Sequence, residues 1–126
     1  MRHRPRPRGP RRSAAFDSTA RKVSGLPRLL RLVAGLRRRR RKRPRVVLAN
    51  GIFDLLHVGH VRYLRAARAP WDLLVVAVND DRSARRLRGA GRPVVPARDR
   101  ARLIAALRGV DLVVLFGWRK IGRAHV

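Results

Sequence analysis

Two imidazoles three residues apart, His57 and His60, flank Gly59 in the stretch NGIFDLLHVGH, residues 50–60, at the end of the apolar run RVVLAN. Gly51 lets the backbone turn sharply after that run and approach a ligand closely. His60 is expected in the first turn of a following helix, where amide N–H groups and the helix dipole favour an anion. A phosphate suits that place. The imidazoles then serve as two donors aimed at one phosphoryl group, stabilising charge on its oxygens during an in-line displacement. Gly59 between them is expected to leave room for the bulk of a nucleotide. The pair could instead ligate a metal, but His3 and His125 lie near the termini and a catalytic zinc site usually takes three protein ligands, so no metal site is assigned. One histidine near an apolar face is more often structural than functional. Gly51, Phe53, Asp54, His57, Gly59 and His60 together form a far more specific set.

The elements that must position this set can be read from the pattern around it. After Pro44, three short β-branched runs, residues 45–49, 73–79 and 112–116, alternate with helical patterns. The runs are apolar throughout, as in strands buried on both faces. Val61, Leu64 and Ala67 mark one helix, stopped by Pro70; Leu103, Ile104 and Leu107 mark another, ended by Gly109. Such a β-α-β-α-β series forms a parallel sheet with right-handed crossovers and binds ligands beyond the carboxyl ends of its strands. The expected fold class is therefore α/β, a Rossmann-like parallel sheet with helices on both faces. Upstream, Leu26, Leu29, Leu30, Val33 and Leu36 fall at helical spacing, with Pro27 tolerated in the first turn. Residues 37–43 form a basic run that reads as a solvated linker or as a phosphate-attracting patch.

Composition narrows the function classes. A chain of 126 residues with 45% apolar content has room for one domain and its core. The 33 Lys and Arg residues against 7 acidic ones would naively point to nucleic acid. Almost all of them are Arg, scattered through every segment, and aromatic residues are only 5%, too few for base stacking along a strand. Nucleic acid is therefore not the expected partner, although a basic nucleic-acid-binding module is the competing reading from another class. With no Cys there is no disulfide framework, thiolate metal site or cysteine nucleophile. The longest apolar stretch, Leu73 to Val78, is too short to span a bilayer. Arg11 and Arg12 resemble a twin-arginine signal, but the next apolar segment is broken by Arg31, so a cytoplasmic protein is expected. Residues 1–21, rich in Pro, Arg and Gly, are expected to form a disordered basic leader.

The GIFDLLHVGH stretch resembles the HxGH signature of the cytidylyltransferase-like nucleotidyltransferases, and the likeness continues through VVAVNDDRSARRLRGAGRPVVPARDRARLIAALRGVDLVVLF. In detail it is most similar to the adenylyltransferases that form ADP-heptose from heptose 1-phosphate, over about Lys22 to Phe116. The resemblance implies transfer of a nucleoside monophosphate from a triphosphate to a phosphorylated acceptor, with release of pyrophosphate. It assigns His57 and His60 to the transferred α-phosphate and the backbone of Gly51, Ile52 and Phe53, with Gly59, to nucleotide binding. Asp54, Asn79 and Asp80 fall on the acceptor side. Arg88 stands where the family usually has Lys, a planar fork replacing a mobile point charge, and Arg100 matches an arginine supporting the nucleotide site from a helix start. Ile52 replaces a common Cys, and Trp71 stands where glycine is usual.

Mg²⁺ with ATP is implied as cofactor, since the metal neutralises the departing pyrophosphate. The partners implied are a nucleoside triphosphate and a sugar phosphate, with a homo-oligomer left open for the full-length protein and no membrane expected. A glycerol 3-phosphate cytidylyltransferase is the runner-up within the superfamily. The family's second signature, a Ser/Thr and basic segment of ISSTxK type, has no match here. Residues 22–116 are thus expected to be the amino-terminal portion of the domain. Residues 117–126 are read as a tail outside it, since Ile121 to Val126 can be encoded by a common sequencing-adapter sequence.

Overall fold

The computed structural model describes residues 19–39 and 44–117. Most of the expected leader, the end of the basic run, nearly all of the tail, and both His3 and His125 lie outside the described residues. Four strands, β1 (Val23–Ser24), β2 (Val46–Gly51), β3 (Leu73–Asn79) and β4 (Leu112–Phe116), form one sheet in the order β1-β4-β3-β2. Every pairing is parallel. The helices are α1 (Leu26–Arg39), α2 (Val58–Ala66), α3 (Asp81–Arg88) and α4 (Ala97–Ala105).

Alternating side chains of the strands feed two apolar clusters, as the period of two requires. Ala49, Leu74, Val76, Val78 and Val113 meet Leu64 of α2 and Ala101, Ile104 and Ala105 of α4 on one face. Val75, Ala77, Leu112 and Val114 meet Leu29 of α1 on the other. The α/β fold with helices on both faces is therefore as expected from the sequence. All seven residues of β3 are buried, which is why its run shows no polar alternation.

The amphipathic segment around Leu29 is the helix α1, and the three apolar runs are β2, β3 and β4. Two elements escape the sequence pattern. β1 is only two residues long, paired through Val23 to Val113 and Ser24 to Val114. α3, DRSARRLR, has only Ala84 and Leu87 as apolar residues, too few to define a helical stripe. Gly51, expected just past its run, is the last residue of β2, and Asn79 ends β3 as its run does. The carboxyl ends of these two adjacent strands, with the helices α2 and α3 that follow them, frame one end of the sheet.

Candidate nucleotide-transfer site

Between β2 and α2 the chain passes through Phe53 and Leu55 with φ of 51° and 49°, left-handed values that non-glycine residues seldom adopt. These two kinks turn residues 52–57 back over the sheet end. Phe53 is buried in the core, and its ring meets His60 edge-on, centroids 5.5 Å apart. Gly51 matters here for packing: a Cβ there would stand 2.9 Å from the Phe53 ring.

His57 and His60 cap α2 reciprocally. The His57 Nδ1 accepts the Gly59 N–H at 3.0 Å, and the His60 Nδ1 accepts the His57 N–H at 3.2 Å. This is a capping box built from two imidazoles in place of the usual hydroxyl and carboxylate. A ring nitrogen that accepts carries no proton, so each neutral imidazole has its proton on Nε2. The rings lie 4.0 Å apart between centroids and are tilted by 31°. Burial first, then the neighbouring His57 and Arg88, hold His60 below the ordinary imidazole value of 6.5. It is therefore neutral at pH 7. The pair consequently offers two Nε2–H donors without two like charges in contact.

Gly59 also has a packing reason that the sequence did not show. A Cβ at Gly59 would come within 2.7 Å of the His57 Cε1 and 2.9 Å of its Nδ1, so glycine here lets the His57 ring fold over its own helix start. The Gly59 amide is itself engaged by that ring.

Ile52, Phe53, Asp54, His57, His60, Arg88 and Arg92 line a cleft of about 370 Å³, within the usual range for small-ligand sites. Of the residues singled out from the sequence, Ile52, Phe53, Asp54, His57, His60 and Arg88 come together there. Gly51 and Gly59 shape its floor without lining it. The Asp54 carboxylate is already engaged: its Oδ1 accepts the Val95 N–H and its Oδ2 the Val94 N–H, both at 2.9 Å, and Arg92 stands 3.4 Å from Oδ2. Burial pushes this carboxyl up, but the two amides and Arg92 outweigh it and hold Asp54 below the usual carboxylate range.

Asn79, Asp80 and Arg100 lie behind the cleft. The Asn79 side chain is buried and donates to the Ser83 hydroxyl, while Asp80 caps α3 by accepting the Ser83 N–H at 2.8 Å. Arg100 has no exposed surface. Its Nε donates to the Val95 carbonyl at 2.8 Å, its Nη1 to the carbonyls of Ile52 and Asn79 at 2.6 and 2.8 Å, and its Nη2 to Asp81 Oδ1 at 2.8 Å. The arginine expected to support the nucleotide site from a helix start is thus fully engaged by protein groups: one guanidinium ties the ends of β2 and β3 to the segment before α4. Two participants went unnoticed in the sequence. Arg92 lines the cleft, and Asp81 anchors Arg100; only their place beside glycine, in GAGRP, and at a helix start, in NDD, could have drawn attention to them.

Among the described residues, no three His, Cys, Asp or Glu side chains are grouped so as to hold a metal ion, and no helix is long and apolar enough to cross a membrane.

A family model described as cytidylyltransferase-like matches residues 48–125, a span that runs past Phe116. The bifunctional protein HldE of Koribacter versatilis (strain Ellin345) is 52% identical over 98 residues, which cover 78% of this chain and 20% of that protein. The bifunctional protein HldE of Alkalilimnicola ehrlichii is 49% identical over 100 residues, 79% of this chain and 20% of the relative. The chain thus spans a fifth of the length of these relatives. The crystal structure of a lipopolysaccharide core biosynthesis protein from Thermoplasma volcanium GSS1 superposes with a TM-score of 0.56 at 34% identity, covering 64% of each chain.

Proposed function

This chain belongs to the cytidylyltransferase-like family, and on that premise we propose that it is the phosphate-gripping portion of a nucleotidyltransferase that moves AMP from ATP to a sugar 1-phosphate, a heptose 1-phosphate above all. The observation that carries the reading is the reciprocal cap of α2, which leaves the Nε2–H of His57 and of His60 as the free polar edges of two rings lining one basic cleft.

A phosphate oxygen of the acceptor attacks the α-phosphorus in line, a new P–O bond forms, the bond to the β-phosphate oxygen breaks, and pyrophosphate departs. His57 and His60 donate to the non-bridging oxygens of the α-phosphate as their charge grows, and Arg88 and Arg92 add fixed positive charge beside them. As Nε2–H donors the two rings neither gain nor lose a proton during transfer. Arg100 holds the carbonyl ends of β2 and β3 at fixed spacing, so that the residues 52–57 stay registered against α3.

The charged lining of the cleft is two arginines and one carboxylate already engaged by backbone amides. It fits a Mg²⁺ that arrives on the triphosphate, with phosphate and water as its main ligands, rather than one in a protein cage. When bound, the ion supplies charge neutralisation to the leaving pyrophosphate.

Similarity to two bifunctional HldE proteins and to a lipopolysaccharide core biosynthesis protein supports a sugar phosphate as acceptor. The test is a substrate matrix on the full-length protein: each nucleoside triphosphate against heptose 1-phosphate, other sugar phosphates and glycerol 3-phosphate, read by pyrophosphate release. ATP with heptose 1-phosphate is expected to turn over fastest. Faster turnover of CTP with glycerol 3-phosphate would replace this reading with the cytidylyltransferase one.

A further inference from the structure

A second groove, about 520 Å³, lies on the other side of the segment that Asp54 clamps, and Arg92 lines both it and the histidine cleft. Its charged lining is Asp81, Arg82, Arg85 and Arg92. Asp81 is the one carboxylate among them: its Oδ1 accepts from Arg100 Nη2 and from the Ala97 N–H, each at 2.8 Å, and its side chain stays 55% exposed, so three arginines face one acidic group. Arg82 and Arg85 are three residues apart on α3 and so share a face. Arg85, Arg86 and Arg88 all lie in the last turn, where cations face the negative end of the helix dipole. Arg82 instead stands in the first turn, where the dipole disfavours a cation. The opposite wall contains Pro93, Val94 and Pro96, with the Val94 amide fixed by Asp54. With Arg92 also 3.4 Å from Asp54 Oδ2, Arg82 and Arg85 leave the groove with a net positive charge.

We propose that this groove is a second phosphate subsite, in which Arg82, Arg85 and Arg92 hold a phosphate group, with Arg92 linking it to the histidine cleft. The inference rests on the proposed nucleotidyl transfer only in taking the phosphate to belong to one of that reaction's two substrates, the acceptor or the triphosphate. No aromatic side chain lines the groove, so it offers a phosphate no adjoining surface for a stacked base.

Inorganic phosphate titrated at fixed ionic strength, followed by the side-chain Nε–H signals of the arginines, tests this without any substitution. The signals of Arg82, Arg85 and Arg92 are expected to move together and saturate, while those of Arg98 and Arg102, exposed on α4, stay still. Uniform movement of all five would show mere screening of a basic chain and overturn the proposal. As a second arm, Arg82→Gln with Arg85→Gln is expected to weaken phosphate binding at this groove at least tenfold, and Arg98→Gln with Arg102→Gln, which removes the same charge, to leave it unchanged; equal losses in both would also overturn it. Heptose 1-phosphate and ATP, titrated separately, assign the occupant by which of them displaces phosphate from the three signals. A single-stranded oligonucleotide that displaces phosphate when neither substrate does would overturn the proposal. Phosphate bound at the three arginines without any response of His57 or His60 to ATP would keep the subsite and remove the transfer reading.

Discussion

His57 and His60 present their Nε2–H edges only while each Nδ1 keeps its backbone hydrogen bond, so in the proposed reaction helix capping and catalysis are one arrangement. At pH 7.5 nitrogen-detected NMR should find both rings as the Nε2–H tautomer; Nδ1–H in either would break the argument. The folded pKa of His60 lies below its ordinary value, so as pH falls the unfolded chain takes up the proton first. The cap's stabilisation is therefore complete above about pH 6.5 and declines as pH falls from there through the folded pKa. In the full-length protein, His57→Ala or His60→Ala should lower kcat by roughly 10² to 10³, the scale for losing one oxyanion-type donor, with less effect on KM. Near-normal turnover of both variants would remove the catalytic assignment. Gly59→Ala should behave similarly, because the added Cβ collides with the His57 ring. That the two histidines meet at a helix start was legible from residue types and spacing. The reason for Gly59 was not, since the contact that requires it depends on the side-chain rotamer of His57.

At the scale of elements, the site is held by two charged clamps, one of which, Asp54, the sequence had placed on the acceptor side. Asp54 fixes residues 94–95, and Arg100 ties β2, β3 and α3 together. From sequence, a carboxylate beside a phosphate-binding turn and an arginine at a helix start look the same whether they face solvent or a buried carbonyl, because burial is decided by segments about forty residues away. Likewise α3 lacked an apolar stripe: its start is set by Asp80 as N-cap and its packing by Ser83 and Ala84 alone. Arg100→Met should destabilise the fold by about 3 kcal/mol, since it leaves buried carbonyls without a donor, and chemical denaturation would measure it. Asp54 gives a separate, pH-dependent signature. Its depressed pKa means its contribution is present above the unfolded carboxylate value, about 3.9, and is lost as pH falls through the folded one. Hydrogen exchange at the Val94 and Val95 amides should accelerate there, and in Asp54→Asn already at neutral pH; slow exchange in that variant would show that the segment is held by other contacts.

Across the whole molecule, the sheet order places β2, the strand that leads into the site, at one edge. The sequence showed β2 and β3 as equally apolar runs, and both were expected to be buried on two faces. That holds for β3 alone. Edge position depends on strand order, which no local pattern records. On the α1 side, Leu48 lies beside Val75 in register, but α1 packs over β3 and β4, so Val46 and Leu48 remain 41% and 66% exposed. An apolar strand with one unpaired backbone edge and a bare face is a template for pairing with another chain. The 126-residue protein should accordingly associate with rising concentration, and light scattering should show it. Leu48→Lys places a charge on that face without touching the core cluster under α2 and α4, so it should suppress association while changing stability by no more than about 0.5 kcal/mol. A control at Leu103, exposed on α4 away from the edge, should have no such effect when changed to Lys. Equal suppression by both substitutions would mean that net charge, and not the β2 edge, governs association.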